Sequence, residues 1–265
     1  MNNTVAVTGG ATGIGAATIT RLRDKGFDVI NLDIADSDQH DVHNIHCDLS
    51  NPYSITDAVG ELPDTLHSLV NVAGVAQGII PDESVVMINF LGMRHLTESA
   101  LSRIENGGNI VIVASSAGRD WQTRADLVTD MLNTPHFTQG REWLYQHHNE
   151  WHAQSYKFSK QCAAAYTYRA AGLARNRGVR ANCVNPGIVE TQLSPQFREM
   201  VGDERYDWIV SQTGRAGTPA DIAQVVEFLA VGDCQWLNGV EITVDGGYFA
   251  GTLGGWVDLA AMPVT

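Results

Sequence analysis

Two side chains in the middle of the chain have the types and spacing for acid–base chemistry. Tyr156 and Lys160 lie four residues apart in an alanine-rich stretch that ends at Gly178. The composition predicts a helix over about residues 153–176, and residues four apart on a helix share one face. The ordinary pKa of a tyrosine is about 10, and a nearby ammonium group favours the phenolate. We therefore expect Lys160, with a cationic cofactor beside it, to lower the pKa of Tyr156 toward neutrality.

Other polar side chains stand where they could act with this pair. The apolar run NIVIVA ends at Ser115 and Ser116, and a hydroxyl at a strand end can hold a substrate oxygen. Asn89 interrupts an apolar helix predicted over about 86–104, so its amide either holds a water for proton relay or bonds a neighbouring helix. Lys157 lies roughly a quarter-turn away from Tyr156 on the helix, so we expect it to be a solvated surface lysine.

A glycine-rich turn follows the first predicted strand in VAVTGGATGIGAAT. Gly9 permits a tight turn, Gly13 lets the backbone approach a pyrophosphate, and Gly15 lets the next helix pack on the strand. The alternative is a plain strand-to-helix turn, but the position before a helix favours nucleotide binding. Asp33 ends the second strand, where a carboxylate accepts from ribose hydroxyls and repels a 2′-phosphate. NAD(H) is favoured over NADP(H), unless Asp33 is only a solvated strand-end carboxylate.

Two further strand ends suit a bound nucleotide. Asp48 could accept from an adenine amino group, or it could instead cap the following helix. The segment NVAG places Asn71, Ala73 and Gly74 where the backbone passes close to a cofactor, although Gly74 could serve only the turn.

The composition limits the class of protein. The chain has 265 residues, of which 44% are hydrophobic and 18% charged, and its formal net charge is −13. This balance predicts a folded globular protein and disfavours binding to nucleic acid or to an anionic membrane. The opening residues resemble neither a signal peptide nor a membrane span, so we expect a cytoplasmic protein.

Cysteines and histidines offer a weaker case for metal chemistry. The four cysteines show no paired spacing, and we interpret them as small buried apolar residues. His40, His43 and His46 recur every three residues and would line one face of a helix. However, the pattern favours a loop that runs into a short strand, so we expect no metal there.

Short β-branched runs alternate with longer helical segments along the whole chain. This alternation predicts one α/β domain over residues 1–265, a doubly wound Rossmann domain whose seven-stranded parallel sheet has helices on both faces. The clearest predicted helices span about 13–25, 86–104, 153–176 and 219–230. The strands are predicted at TVAVT, FDVINLD, NIHCD, LHSLVNV, NIVIVAS, VRANCVN and VEITVDGG.

Together these motifs resemble those of the short-chain dehydrogenase/reductase family. The resemblance implies a catalytic tetrad of Asn89, Ser115, Tyr156 and Lys160, with Ser116 as the alternative serine. It also implies NAD as cofactor, held in part by the backbone of Ile188 and the hydroxyl of Thr191. The predicted cofactor-binding residues are Gly9, Thr12, Gly13, Ile14, Gly15, Asp33, Asp48, Leu49, Asn71, Ala73, Gly74, Tyr156, Lys160, Pro186, Gly187, Ile188 and Thr191.

The connection from Ser115 to Tyr156 is longer than is usual in that family. The excess, about residues 119–151, is predicted to be an inserted helical pair before the Tyr156 helix. It resembles the bacterial 3α-hydroxysteroid dehydrogenase/carbonyl reductase branch. That resemblance implies that the insertion covers a helix face used by other members for assembly, and that the protein is a homodimer or homotetramer joined through another face.

We predict an NAD(H)-dependent oxidoreductase that interconverts a secondary alcohol and a ketone, with a bulky hydrophobic substrate such as a hydroxysteroid or terpenoid. A substrate lid is predicted at about residues 189–214, and the C-terminal stretch could also reach the pocket. The alternative is a non-catalytic NAD(H)-binding sensor or interaction protein. Apolar lid residues either contact the substrate or pack on the fold, namely Met200, Tyr206, Trp208 and Ile209.

Overall fold

A single seven-stranded parallel sheet organises the molecule. The computed structural model describes residues 3–263, and the strand order is β3-β2-β1-β4-β5-β6-β7. All seven predicted strands are confirmed, because the short β-branched runs between turn residues have enough apolar surface to be buried in the sheet. The strands are β1 (Thr4–Thr8), β2 (Asp28–Asp33), β3 (Val42–His46), β4 (Leu66–Asn71), β5 (Ile104–Val113), β6 (Arg180–Pro186) and β7 (Glu241–Val244).

Helices cover both faces of the sheet, as the sequence predicts. One face packs on the helices 13–24 and 219–231, and the other packs on the helices that follow β3, β4 and β5. The helices are α1 (Gly13–Asp24), α2 (Pro52–Glu61), α3 (Asp82–Val86), α4 (Met93–Ala100), α5 (Ala125–Asn133), α6 (Phe137–Gln146), α7 (His148–Trp151), α8 (Ser155–Leu173), α9 (Ser194–Val201), α10 (Asp203–Thr213), α11 (Pro219–Val231) and α12 (Tyr248–Gly254).

The strand order reverses between β1 and β4, and this switch point opens a crevice at the carboxyl ends of the strands. The Thr8 hydroxyl at the end of β1 accepts from the backbone N–H groups of Val72 and Ala73, at 2.9 and 3.0 Å. This bridge fixes the loop after β4 beside the glycine-rich turn after β1.

The predicted helix over 86–104 is irregular. Helix α3 continues into a π-helical turn at Met87–Gly92, then into α4 and a 3₁₀ turn at Leu101–Arg103. A π-helical turn widens the helix by one residue and often lies at a functional site. Here it contains Asn89.

The insertion forms helices, as predicted. A 3₁₀ turn at Trp121–Arg124 leads into α5 and α6, and the shorter α7 precedes α8. Phe158 of α8 is fully buried between two tryptophans of the insertion, Trp143 and Trp151, whose ring centroids lie 5.9 and 6.3 Å away. The insertion therefore belongs to the core that holds α8.

The histidine-rich stretch forms the predicted loop and short strand, whereas the cysteines match the prediction except for Cys234, which is only partly buried. All four cysteines are free, and Cys47, Cys162 and Cys183 are buried. A loop leads into β3, on which His43 and His46 are exposed at the sheet edge. Within residues 3–263, no group of three or more side chains is arranged to hold a metal, and no helix is long and apolar enough to cross a membrane.

Candidate active site

One cavity of about 1190 Å³ occupies the crevice at the carboxyl ends of the strands. The glycine-rich turn, the ends of β2, β4, β5 and β6, the start of α8, and the helices α9 and α10 all contribute to its wall. This is where a doubly wound sheet binds ligands, because the loops of successive strands diverge there.

Tyr156 lies on the first turn of α8 and is only 7% exposed, although its side chain reaches the cavity. Ser115 stands next to its hydroxyl, and the Oγ of Ser115 accepts from the N–H of Ala117 at 3.2 Å. Burial raises the pKa of Tyr156 to about 12, and the neighbouring Ser115 opposes the shift. Ser115, rather than Ser116, is therefore the partner of the phenol.

Lys160 follows Tyr156 by one helical turn, and its Nζ lies 5.9 Å from the centroid of the tyrosine ring. The ammonium donates to the carbonyl of Val113 at 3.1 Å. Burial lowers the pKa of Lys160 to about 8. In the protein alone, desolvation of the phenol dominates its pKa, so the lowered pKa expected from Lys160 together with a cationic cofactor stays a prediction.

Asn89 lies behind the cavity wall rather than on it. Its Oδ1 accepts from the N–H of Val75 at 2.8 Å, and its Nδ2 donates to the Val75 carbonyl and to Ser159 Oγ, at 3.0 and 3.1 Å. A Cβ on Gly74 would come within 3.2 Å of Asn89 Oδ1 and 3.3 Å of Lys160 Nζ. Asn89 and Lys160 therefore both approach Gly74, and Asn89 does so from the π-helical turn.

The glycine-rich turn fits a dinucleotide because its backbone leaves no room for side chains. A Cβ on Gly15 would lie 1.9 Å from the Gly9 carbonyl oxygen, and one on Gly9 would lie 2.7 Å from Ala73 Cα. Gly13 has a φ of +56°, which favours glycine, and a Cβ there would lie 3.6 Å from Thr191 Cγ2. Such a bare turn at the start of α1 presents backbone N–H groups to a phosphate.

Two acidic side chains line the cavity near the ends of β2 and β3. Asp33 lines the cavity, and its two oxygens accept from the N–H groups of Ala11 and Ala35, at 3.1 and 3.2 Å. Asp48 also lines it and accepts from Ser50. The alternative that Asp48 caps the next helix is wrong, since Asn51 is the N-cap of α2.

Most of the remaining predicted site residues reach the cavity wall. Asn71 does not, because it is buried at the end of β4 and its Nδ2 donates to Thr97 Oγ1 at 3.1 Å. Those on the wall are Thr12, Ile14, Leu49, Ala73, Gly74, Pro186, Gly187, Ile188 and Thr191.

The predicted lid consists of α9 and α10, and it contributes an aromatic contact that the sequence did not reveal. Phe197 of α9 packs edge-on against Tyr156, with ring centroids 5.1 Å apart. Met200, Tyr206 and Ile209 line the cavity, whereas Trp208 packs against Tyr248 and is not on the wall. The sequence offered the apolar residues of this segment as substrate contacts or packing residues, but no local signal indicates that Phe197 meets Tyr156.

Lys157 is not a free surface lysine. Its Nζ forms an ion pair with Asp120 at 2.7 Å, and Gln161 donates to the other oxygen of the same carboxylate at 2.9 Å. This carboxylate, at the start of the insertion, ties α8 to the segment that follows Ser115.

Two family models match this chain. The model described as short chain dehydrogenase covers residues 3–125, and the one described as Enoyl-(Acyl carrier protein) reductase covers residues 144–249. A coniferyl-alcohol dehydrogenase from Pseudomonas sp. (strain HR199 / DSM 7063) is 34% identical, over 93% of this chain and 96% of that protein. The chain belongs to the short-chain dehydrogenase family.

Other relatives in this family support the predicted branch. A 3-alpha-hydroxysteroid dehydrogenase/carbonyl reductase from Comamonas testosteroni is 26% identical, over 92% of this chain and 95% of that protein. The crystal structure of the 3-alpha-hydroxysteroid dehydrogenase from Pseudomonas sp. B-0831 complexed with NADH matches with a TM-score of 0.78 and 29% identity. That match covers 96% of this chain and all of that one. As a short-chain dehydrogenase, the protein is an oxidoreductase of alcohols and carbonyl compounds.

Proposed function

We propose that this short-chain dehydrogenase interconverts a secondary alcohol and a ketone with NAD(H), on a bulky hydrophobic substrate. The observation that carries the proposal is the Tyr156 phenol with Ser115 and Lys160 beside it, in the same cavity as the bare glycine-rich turn. A proton carrier and a nucleotide cradle in one cavity are what reversible hydride transfer to a carbonyl requires.

NAD(H) is the proposed cofactor because a carboxylate, that of Asp33, lies where we propose that the cofactor's ribose binds. The Asp33 carboxylate can accept from ribose hydroxyls and repels a 2′-phosphate, and no lysine or arginine lies between Gly9 and Gly15. The related structure that was solved with NADH is consistent with this choice. The turn, Asp33, Asp48 and the segment Pro186–Thr191 would hold the cofactor.

The protein's own residues position the substrate and move its proton. When bound, the nicotinamide supplies the hydride acceptor and, in its oxidised form, a positive charge that favours the phenolate. In oxidation Tyr156 takes the hydroxyl proton while Ser115 holds the same oxygen. Lys160 is the cation beside the phenol, and Asn89 holds the Val75 backbone that shapes the wall beneath Gly74. We assign the proton relay to Lys160, Asn89 and water.

A hydrophobic substrate is proposed because the lid turns apolar side chains toward Tyr156. Phe197, Met200 and Ile209 line the cavity, and burial of an apolar ring against them contributes roughly 25 cal/mol per Å². Relatives are described as dehydrogenases of coniferyl alcohol, 3-alpha-hydroxysteroid, cyclopentanol and (+)-borneol. Cyclic and aromatic alcohols are therefore the compounds to test.

We further propose a homodimer or homotetramer in the cytoplasm. Large apolar side chains near the C-terminus are exposed, including Trp236, which is fully exposed, Leu253 and Trp256. Exposed apolar groups of this size are typical of an interface between subunits. The insertion, which packs on α8, would leave another face for assembly.

The test is formation of NADH or NADPH over a panel of 3α-hydroxysteroids, monocyclic terpenols, cyclopentanol and coniferyl alcohol. We expect turnover with NAD⁺ and at least about tenfold lower kcat/KM with NADP⁺, because a carboxylate faces the 2′-phosphate. In Asp33→Ser the preference for NAD⁺ should fall. Tight NADH binding with no turnover of any alcohol would support the non-catalytic sensor, and equal use of both cofactors would contradict the assignment of Asp33.

A further inference from the structure

One cationic side chain, Arg205, lies among the apolar side chains that the lid contributes to the cavity wall. Arg205 of α10 lines the wall, is half-buried, and has a buried Nε with no hydrogen-bond partner among residues 3–263. A buried donor without a partner costs free energy, so such a group usually meets a ligand or a polar neighbour. The apolar lid side chains on the same wall are Leu193, Phe197, Met200, Val201, Ile209 and Val210.

The other cationic side chains that line the cavity already form ion pairs or hydrogen bonds within the protein. Within the described part of the chain, Arg205 alone among them lacks an ion pair or hydrogen bond. The engaged pairs are Lys157 with Asp120 at 2.7 Å, Lys160 with the Val113 carbonyl at 3.1 Å, and Arg215 with Asp221 at 2.7 Å.

The carboxylates of the cavity are engaged as well. None of them forms an ion pair with Arg205 in residues 3–263, so its charge is uncompensated by the protein. Their partners are Ala11 and Ala35 for Asp33, Ser50 for Asp48, Arg215 and Thr218 for Asp221, and Gly247 and Phe249 for Asp245.

Arg205 is also close to the aromatic wall of the C-terminal helix. Burial raises the pKa of Tyr248, and the nearby charge of Arg205 opposes the shift. Tyr248 lines the cavity together with Phe249. Trp208 of α10 packs against Tyr248 of α12, so Arg205 lines the cavity near the place where these two helices meet.

We propose that Arg205 is a specificity-determining residue that binds a carboxylate of the substrate, at a position away from the reacting carbinol. This inference rests on the proposed function, and it narrows the substrate to an alcohol or ketone with an apolar body and one carboxylate. A planar guanidinium matches a carboxylate with two parallel hydrogen bonds, which are strong where water is excluded. The apolar lid binds the body of the same molecule.

The test compares two alcohols that differ in charge and by one methyl group, 4-(1-hydroxyethyl)benzoate and its methyl ester. We expect wild type to favour the acid by about tenfold or more in kcat/KM, as a charge-assisted hydrogen bond would give. In Arg205→Met, which keeps the apolar stem, that preference should vanish, and Arg205→Lys should retain part of it. Binding of NADH by each variant verifies that it is folded.

Arg198→Met provides the matched control. Arg198 lies on the same lid, pairs with Asp203 and Asp207, and is not on the cavity wall, so its loss should preserve the acid-to-ester ratio. An acid-to-ester ratio near one in wild type, or a ratio unchanged in Arg205→Met, would overturn the inference.

A binding measurement separates this inference from the proposed reaction. The ketone 4-acetylbenzoate is titrated into the NADH-loaded protein by calorimetry, which needs no turnover. Binding by wild type that is lost in Arg205→Met would support the role of Arg205 even if no alcohol is oxidised. If the ketone does not bind and neither alcohol is oxidised, the inference fails.

Discussion

At the scale of single residues, burial moves the pKa values of the two central groups in opposite directions. Desolvation raises the pKa of Tyr156 to about 12 and lowers that of Lys160 to about 8, because each site disfavours the charged form. The protein alone therefore keeps the phenol protonated at neutral pH. Tyr156 must therefore lose this proton to the relay before it can accept the proton of the alcohol, and the positive charge of an oxidised cofactor would favour that loss.

The buried ammonium predicts a stability change with pH. The ordinary pKa of 10.5 falls to about 8 on folding, so the unfolded chain binds more protons between these values and stability rises with pH in this window. Between pH 8 and pH 10, Lys160 should add about 2 kcal/mol to the free energy of unfolding. Urea unfolding of wild type and of Lys160→Met at several pH values measures this contribution. The other titrating groups are common to both proteins, so the difference between the two pH dependences is due to Lys160. Parallel pH dependence in the two proteins would contradict it.

At the scale of elements, the turn between β1 and α1 depends on a glycine that no other residue can replace. In Gly15→Ala the new Cβ would lie 1.9 Å from the Gly9 carbonyl oxygen, and backbone cannot yield as a side chain can. We expect destabilisation by about 2 kcal/mol or more, with at least tenfold weaker NADH binding. Fluorescence titration with NADH and urea unfolding measure both effects.

Gly60→Ala is the control for that substitution. Gly60 lies in α2, and a Cβ there meets nothing within 4 Å, so alanine should stabilise the helix by about 0.5–1 kcal/mol and leave NADH binding unchanged. Equal effects of the two substitutions would show that the close approach at Gly15 has no energetic role.

In the π-helical turn, the side chain of Asn89 should matter for stability as Gly15 does in the turn between β1 and α1. Asn89→Leu removes both hydrogen bonds to the Val75 backbone and leaves those buried groups unpaired. We expect a loss of about 2–4 kcal/mol in stability, since each unpaired buried group costs about 1–3 kcal/mol, and a lower kcat for alcohol oxidation. Ser159→Ala keeps the two hydrogen bonds between Asn89 and Val75, so it should lose less stability than Asn89→Leu. An equal loss of stability in both variants would argue against this role of the amide.

Elements were largely predictable from the sequence, because β-branched runs, turn residues and caps are local signals. The seven strands and the clearest helices were found at nearly their predicted bounds. The contacts that complete the site are not local. Phe197 against Tyr156, Asp120 with Lys157, and Arg205 in the apolar wall each depend on elements far apart in the chain, and no spacing rule pairs them.

At the scale of the whole molecule, the cavity is built from segments that span Gly9 to Phe249, so its ligand should stabilise the entire fold. NADH at a hundredfold excess over its Kd should add about 2.7 kcal/mol, which raises Tm by roughly 5 °C in a domain of this size. NADPH at the same concentration should raise Tm by a smaller amount. Differential scanning fluorimetry measures both shifts, and equal shifts would contradict cofactor discrimination.

The most direct test of the central claim is alcohol oxidation by Tyr156→Phe beside wild type, with Tyr168→Phe as a control on the outer face of α8. With any alcohol that wild type oxidises, we predict that NADH formation by Tyr156→Phe falls by at least about a hundredfold, while NADH binding and Tm are retained. The hydroxyl of Tyr168 donates to Glu241 at 2.8 Å, away from the cavity wall, so Tyr168→Phe should keep its activity. Turnover by Tyr156→Phe within a fewfold of wild type would contradict the assignment of the phenol as the proton carrier.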